Sequence, residues 1–361
     1  MRLLLDLRCL SQPKTGIQIV AANFLRELLD SASGGELQVL AGPDEQLDAR
    51  LEDRQIIRTP IAPYDFRRQR AVAALMNACD ADAVLSPTYF MPFGVRKPYL
   101  ITVHDLIPRK VWLGAPSLYV RVFLGARMRR AQAVWTVSEY SRAEILRHHP
   151  CMRDRVHVVP SGYVAAPGGA GVEKDTRSLL LFASRFRHKN IPFALRAFGA
   201  LQELSGNAWK LHIVGDASSL RDAPLPEGVC LRGRVTDAEL AQMYGTTWGV
   251  LLPSAEEGFS LPLLEGMNHG CVVFYHRHTA MRETAGEAGI GLDLGSPEEW
   301  ARAIHAAGQS AGDAALHRLR ALRRSAEFTR ELFATALHGA LSRSLDGWRG
   351  ETTATGSPAR T

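Results

Sequence analysis

The sequence predicts an α/β protein made of two doubly wound, Rossmann-like parallel-sheet domains facing a shared cleft. Three observations carry this expectation. At 361 residues the chain exceeds one ordinary core and suits two domains of about 150–180 residues each. Short apolar runs alternate with amphipathic stretches, which is the pattern of βαβ units. That alternation lapses once, at Pro167-Gly168-Gly169-Ala170-Gly171, and then restarts. A Gly-rich stretch between two periodic halves reads as a linker.

Taken in order, the first half offers strands at Leu3–Leu7, Leu37–Leu40, Ala83–Ser86, Tyr99–Val103 and Ala133–Val137. Helical patterns cover Ile17–Leu29, Arg67–Ala78 and Ser117–Arg130, and Ser138 is placed to N-cap a helix over Glu139–His148. The second half offers strands at Leu179–Ala183, Lys210–Val214, Val229–Leu231, Gly249–Leu252 and Val272–Tyr275. Its helices are Pro192–Leu204, Asp237–Tyr244, Pro262–His269, Pro297–Ala307 and one long segment His317–Trp348. The expected division is an N-terminal domain 1–165, a C-terminal domain 166–330, a terminal helix 331–349 packing back towards the N-terminal domain, and a disordered tail 350–361. Sheets of this kind bind ligands beyond the carboxyl ends of their strands, hence the expected cleft.

Composition narrows the function. With 46% hydrophobic and 22% charged residues the chain has the make-up of a globular enzyme. No run approaches the roughly 18 apolar residues of a membrane-spanning helix, and Asp6 and Arg8 break the apolar start too early for a signal peptide. Cys9, Cys79, Cys151, Cys230 and Cys271 show no paired spacing, which points to a cytoplasmic compartment without zinc or disulfide framework. Residues 101–155 hold 10 Lys/Arg against 4 Asp/Glu, which accounts for the whole net charge of +6. Arg121, Arg127, Arg129 and Arg130 dominate it. Such a segment suits an anionic membrane surface or a diphosphate-bearing acceptor, or is simply a solvated helix face. Nucleic acid is disfavoured, since no aromatic-interleaved platform accompanies the charge.

The segment Ser254-Ala255-Glu256-Glu257-Gly258-Phe259-Ser260-Leu261-Pro262-Leu263-Leu264-Glu265-Gly266 carries the chemistry. A strand runs into a loop, and Ser260 with Pro262 marks a helix start. Amides around Phe259–Leu261 then form an anion site suited to a diphosphate, with Gly258 allowing close approach of the backbone. Glu257 and Glu265 bracket it with carboxylates that accept hydrogen bonds from hydroxyls. Sugar, diphosphate and ribose occur in that order in a nucleotide-sugar. The alternative is that Ser260 only caps the helix and both glutamates are solvated.

Glu257 and Glu265 reproduce the E-x7-E element of the retaining GT-B glycosyltransferases, and Glu-Gly-Phe-Ser-Leu-Pro-Leu-Leu-Glu resembles glycosyltransferase family 4. His104-Asp105-Leu106-Ile107-Pro108, Thr136-Val137-Ser138-Glu139-Tyr140-Ser141, Val158-Val159-Pro160-Ser161-Gly162, His188-Lys189-Asn190 and Leu231-Arg232-Gly233-Arg234-Val235 follow in the family's order. The last precedes a D-x-E-L-x-x-x-Y helix. The resemblance covers roughly residues 1–300.

It implies a GT-B fold and transfer of a hexose from a nucleotide-sugar to a saccharide acceptor with retention. Glu265 would bind the ribose, Glu257 the sugar hydroxyls, and the backbone of Gly258, Phe259, Ser260 and Leu261 the sugar and diphosphate. Lys189, with Arg185 or Arg187, would neutralise the leaving diphosphate. His104 would touch the transferred sugar, and Gly233 to Val235 the base. Where many relatives carry a basic residue five positions before the lysine, this chain has Ser184; its N-terminal loop Pro13-Lys14-Thr15-Gly16-Ile17 offers only Gly16 as a backbone contact.

The His-Asp-Leu-Ile-Pro type resembles bacterial enzymes of cell-surface polysaccharide assembly, many of them mannosyltransferases, which favours GDP-mannose. It also makes a polyprenyl-diphosphate-linked acceptor and peripheral contact with the inner face of the cytoplasmic membrane candidates. No metal or further cofactor is expected, and Asp80-Ala81-Asp82, a D-x-D match, reads as a solvated turn. A non-catalytic nucleotide-sugar or glycan-binding partner and a GT-B-fold sugar-nucleotide epimerase are the alternatives. A dinucleotide dehydrogenase lacks its Gly-x-Gly-x-x-Gly here.

Overall fold

The structure is a computed structural model and describes residues 2–11, 16–31, 37–63, 65, 67–107, 115–160, 162, 174–220 and 224–352. The chain divides into two units, residues 1–162 with 331–361, and residues 163–330. The expected linker at Pro167–Gly171, together with Pro13–Thr15, Pro108 and Ser161, lies outside the described residues.

In the first unit, β1 (Leu3–Asp6), β2 (Leu37–Ala41), β3 (Ile56–Arg58), β4 (Ala83–Ser86), β5 (Tyr99–Thr102), β6 (Ala133–Thr136) and β7 (Val156–Val158) form one sheet. Its order is β3-β2-β1-β4-β5-β6-β7, and each pair runs parallel. The direction of winding reverses between β1 and β4, the switch point of a doubly wound sheet. Strands β1, β4, β5 and β6 are buried along their length. Their continuous apolar runs therefore reflect cover on both faces. The crossovers carry α1 (Gly16–Asp30), α2 (Gln69–Ala78), α3 (Ala115–Arg130) and α4 (Glu139–His148). Ser138 Oγ accepts from the Ser141 amide at 3.1 Å and caps α4 as the sequence predicts.

In the second unit, β8 (Asp175–Ala183), β9 (Lys210–Gly215), β10 (Val229–Gly233), β11 (Thr247–Leu252), β12 (Val272–His276) and β13 (Ile290–Leu292) pair in parallel in the order β10-β9-β8-β11-β12-β13. Here the switch point lies between β8 and β11. The helices are α5 (Ile191–Ser205), α6 (Asp237–Thr246), α7 (Leu261–Asn268), α8 (Met281–Ala285), α9 (Pro297–Gln309) and α10 (Ala311–Ser325). Trp300, fully buried on α9, packs edge-on against Phe193 of α5 at 5.6 Å.

The last helix, α11 (Arg330–Thr352), belongs from Glu331 onward to the first unit. Phe333, Leu337 and Ala340 are buried, the Phe333 ring lies 6.0 Å from Phe24, and Trp135 Nε1 donates to Ser344 Oγ at 3.1 Å. Burying a side chain of this size contributes about 1.5–3 kcal/mol, so α11 is part of that unit's core. The single helix expected over His317–Trp348 is two, interrupted at 326–329. Phe328 lies in the break and meets Phe259 edge-on at 5.8 Å. The helix also runs to Thr352, through the start of the expected tail; 353–361 lie outside the described residues. Strands β3, β7 and β13, which have no counterpart among the predicted strands, are three residues each and sit at sheet edges.

Candidate functional site

Strands β8 and β11 are neighbours at the switch point, and the chain leaves them through two loops, 184–190 and 253–260. The loops are tied together. The Ala255 amide donates to the His188 carbonyl at 2.7 Å, and Lys189 Nζ donates to Glu257 Oε1 at 2.6 Å. Glu257 is 9% exposed. Burial by itself would raise its carboxyl, but the Lys189 ammonium, hydrogen bonds from Lys189 and Ser254, and His188 outweigh it and hold the group below the ordinary carboxylate value. Burial and then Lys189 push the His188 imidazole down. Around this pair the backbone is fixed: the Ala280 amide reaches Glu257 O at 3.4 Å, and Thr284 Oγ1 donates to Phe259 O at 3.1 Å.

Ser260 stands before α7 with φ 77°, in the left-handed region that favours glycine. Its side chain makes no capping bond, and its buried Oγ has no partner among the described residues. The reading in which Ser260 only caps the helix therefore fails, as does the one that leaves Glu257 solvated. Asn190, at the N-terminus of α5, likewise takes φ 53° without a side-chain capping bond. Leu261 and Pro262 begin α7, whose partial positive end lies at the loop that carries Glu257. A lysine and a helix N-terminus on adjoining loops make a place for an anion.

Glu265, one turn into α7, is half-buried and accepts from the Tyr244 hydroxyl at 2.9 Å. Tyr244 is 1% exposed; burial first and the Glu265 charge second push its phenol well above its ordinary value, so it remains a donor. Arg185 and Arg187 are exposed, and the Arg185 guanidinium lies 5.3 Å from the Phe186 ring. Hydrogen bonds from Ser218 first, with the Arg234 and Arg185 charges adding to them, hold the Asp216 carboxyl low. Gly233 closes β10 at φ 66°, and a Cβ there would meet nothing within 4 Å. Val235 follows, half-buried, before the Thr236–Glu239 capping box of α6.

Three roles here escaped sequence reasoning, although Ser254 and Tyr244 stand within motifs the sequence shows. Ser254 holds Glu257, and Tyr244 holds Glu265. Gly215 ends β9 at φ 105°, where a Cβ would lie 2.3 Å from Ala183 O. A glycine closing a predicted strand was the one available signal for the last; the others depend on contacts between distant segments.

His104 and Gly16 lie in the first unit. Gly16 opens α1. The half-buried His104 places Nε2 2.8 Å from Pro87 O, and its carbonyl accepts from Ser141 Oγ at 3.0 Å. A carbonyl only accepts, so Nε2 carries the proton, an assignment made from this partner. Burial pushes the ring below its ordinary value despite that bond, leaving a neutral imidazole whose Nδ1 is an acceptor. At the switch point Asp6 and Arg8 form a buried two-pronged ion pair, 2.8 Å and 2.7 Å. Asp80 pairs with the Arg2 guanidinium and Asp82 accepts from the Arg2 amide at 2.8 Å, so the D-x-D match is engaged with the N-terminal strand.

The two parallel sheets and these paired loops define a GT-B glycosyltransferase class. The chain carries two glycosyltransferase domains: residues 14–166 match the model described as Glycosyltransferase Family 4, and residues 177–309 that of Glycosyl transferases group 1. It is 25% identical over 237 residues to O-antigen chain mannosyltransferase B of Escherichia coli, 57% of this chain and 60% of that one. It is 28% identical to the MMP alpha-(1->4)-mannosyltransferase of Mycolicibacterium hassiacum over 52% of this chain and 46% of the relative. The matched stretch is thus about half the length of these curated relatives. Among solved structures, Anabaena Alr3699/HepE in complex with UDP-glucose superposes with a TM-score of 0.72 at 16% identity, covering 95% of this chain and 99% of that one. No helix among the described residues is long and apolar enough to cross a membrane.

Proposed function

We propose that the chain transfers a hexose from a nucleotide-sugar to a saccharide acceptor with retention of configuration, GDP-mannose being the favoured donor. The observation that carries this reading is the Lys189–Glu257 pair beside the N-terminus of α7, with Glu265 one turn further on. A diphosphate fits the cation and helix end, and hydroxyl-rich groups fit the carboxylates on either side. Lys189 releases Glu257 to the sugar hydroxyls and follows the charge that grows on the departing diphosphate, with Arg185 at the rim. Phe259, Gly258, Ser260 and Leu261 supply backbone contacts, and Gly233 and Val235 border the base. His104 accepts a sugar hydroxyl through Nδ1. The acceptor hydroxyl attacks the face the leaving group departs from, and the phosphate takes its proton, so no metal enters the scheme.

Mannose is favoured by the mannosyltransferase names of the relatives matched in sequence. The O-antigen chain named in two of them favours a lipid-linked polysaccharide acceptor. The exposed Arg129, Arg130, Arg147 and Arg153 would then face anionic lipid. The test is a panel of GDP-, UDP-, ADP- and dTDP-sugars against wild type and Glu257→Ala, scored by thermal shift and slow donor hydrolysis. One stabilising donor, hydrolysed by wild type alone, supports the reading. Binding without hydrolysis in either protein favours the non-catalytic binding partner. Absence of binding by every donor overturns the site.

A further inference from the structure

Helix α6 bears a tyrosine that the proposed chemistry leaves unused. Tyr244 is held on every side. Its carbonyl accepts from Lys174 Nζ at 2.7 Å and from Cys271 Sγ at 3.3 Å. Its ring stacks on His269 at 5.2 Å and 18°, and lies 5.8 Å from Phe182. His269 in turn places Nδ1 2.9 Å from the backbone oxygen of Glu265. The hydroxyl therefore has a fixed origin, and its nearer acceptor is Glu265 Oε2 at 2.9 Å, with Pro262 O further off at 3.3 Å.

The two carboxylates of the site are thus held by different chemistry. Glu257 meets an ammonium, which neutralises it. Glu265 meets a phenol, a neutral donor whose fixed origin aims the carboxylate. An aimed carboxylate suits a vicinal diol, which offers it two hydroxyl donors. We propose that Tyr244 is a positioning residue: it presents Glu265 to the ribose diol of the nucleotide and so selects ribonucleotides over 2′-deoxyribonucleotides. This rests on the reading of Glu265 as the ribose contact.

The full chain is titrated calorimetrically with GDP, UDP and ADP and with their 2′-deoxy counterparts, as wild type, Tyr244→Phe and Glu265→Gln. Phenylalanine keeps the stacked ring, and a thermal melt checks that each variant is folded. Wild type is expected to bind its ribonucleotide about tenfold or more tightly than the deoxy form, the worth of a hydrogen bond to a charged group. Tyr244→Phe should bring that ratio below about threefold by weakening the ribonucleotide alone, which loss of general structure would not do. Equal weakening of both forms, or none, in Tyr244→Phe while Glu265→Gln collapses the ratio overturns the role of Tyr244 and leaves the ribose contact standing. An unchanged ratio in Glu265→Gln, or no binding by wild type, overturns the ribose contact and the inference with it.

Discussion

Lys189 and Glu257 are 68 positions apart in sequence, and their charged atoms meet at 2.6 Å where β8 and β11 end. Each is the other's counter-charge. Removing one partner of a pair this buried leaves an uncompensated charge, whereas removing both does not.

Lys189→Met should therefore destabilise the fold by about 1–3 kcal/mol, less than a fully buried pair because the lysine keeps some contact with water. Lys189→Met combined with Glu257→Met should recover much of that loss in urea unfolding. Glu257→Gln, whose amide oxygen can still accept from the partly exposed Lys189, should cost less than Lys189→Met and lower donor turnover by about 100-fold or more. A Glu257→Gln enzyme as active as wild type would remove Glu257 from the mechanism.

The same burial sets an acid limit. His104, His157, His188, His212, His276 and His317 are all held below 6.5, burial being the first cause in each. Above 6.5 they are neutral in both folded and unfolded chain. As pH falls below 6.5 the unfolded chain binds protons first, so stability is lost on the way down through the folded values. Glu257, held below 4.5, adds a further loss below that point. Melting temperature should fall between about pH 8 and about pH 5.5, before the carboxylates titrate. A flat profile over that range would contradict the assigned burial.

Ser260 bears a side chain at φ 77° with a buried hydroxyl that has no partner among the described residues. Glycine adopts that conformation without cost, so Ser260→Gly should raise stability by about 1 kcal/mol. Ser260→Ala keeps the strain and should gain less. Guanidinium unfolding of the pair separates backbone strain from the buried hydroxyl.

Two glycines with positive φ, Gly215 at 105° and Gly233 at 66°, should behave differently. A Cβ on Gly215 would overlap Ala183 O, a backbone atom that cannot move aside, while one on Gly233 meets open space. Gly215→Ala should cost about 3 kcal/mol or more, and Gly233→Ala about 1 kcal/mol from its positive φ alone. Comparable losses at the two positions would show that φ, not the close approach of β8 and β9, dominates.

What the sequence conveyed follows from which forces are local. Leu179–Leu181 and Val250–Leu252 announce buried central strands because both faces are covered and every residue is apolar. Ile56–Arg58 and Ile290–Leu292 are edge strands of three residues, too short to show a period. Ser260 and Pro262 marked the start of α7, but a capping signature carries no information on whether the hydroxyl finds its amide. Glu257, Lys189 and Glu265 were legible as an ordered motif. Their holders Ser254 and Tyr244 were not, since Tyr244 reaches Glu265 across 21 positions and only folding brings them together.

The Asp6–Arg8 pair at the carboxyl end of β1 is the most enclosed ion pair described, with side chains 4% and 1% exposed. The guanidinium meets both carboxylate oxygens, and its remaining arm reaches Ile61 O at 3.3 Å. Such a fork fixes the turn out of β1 in one geometry. Arg8→Met leaves the Asp6 carboxylate buried alone and should cost about 3–5 kcal/mol. Asp6→Leu together with Arg8→Met removes both charges and should lie closer to wild type than either single change. Hydrogen exchange of the β1 and β4 amides reads the effect locally: the single variants should lose protection there while β8 and β11, in the other unit, keep theirs. Uniform loss across both units would mean that the two sheets unfold as one cooperative body and that the pair stabilises the whole chain, not its own switch point.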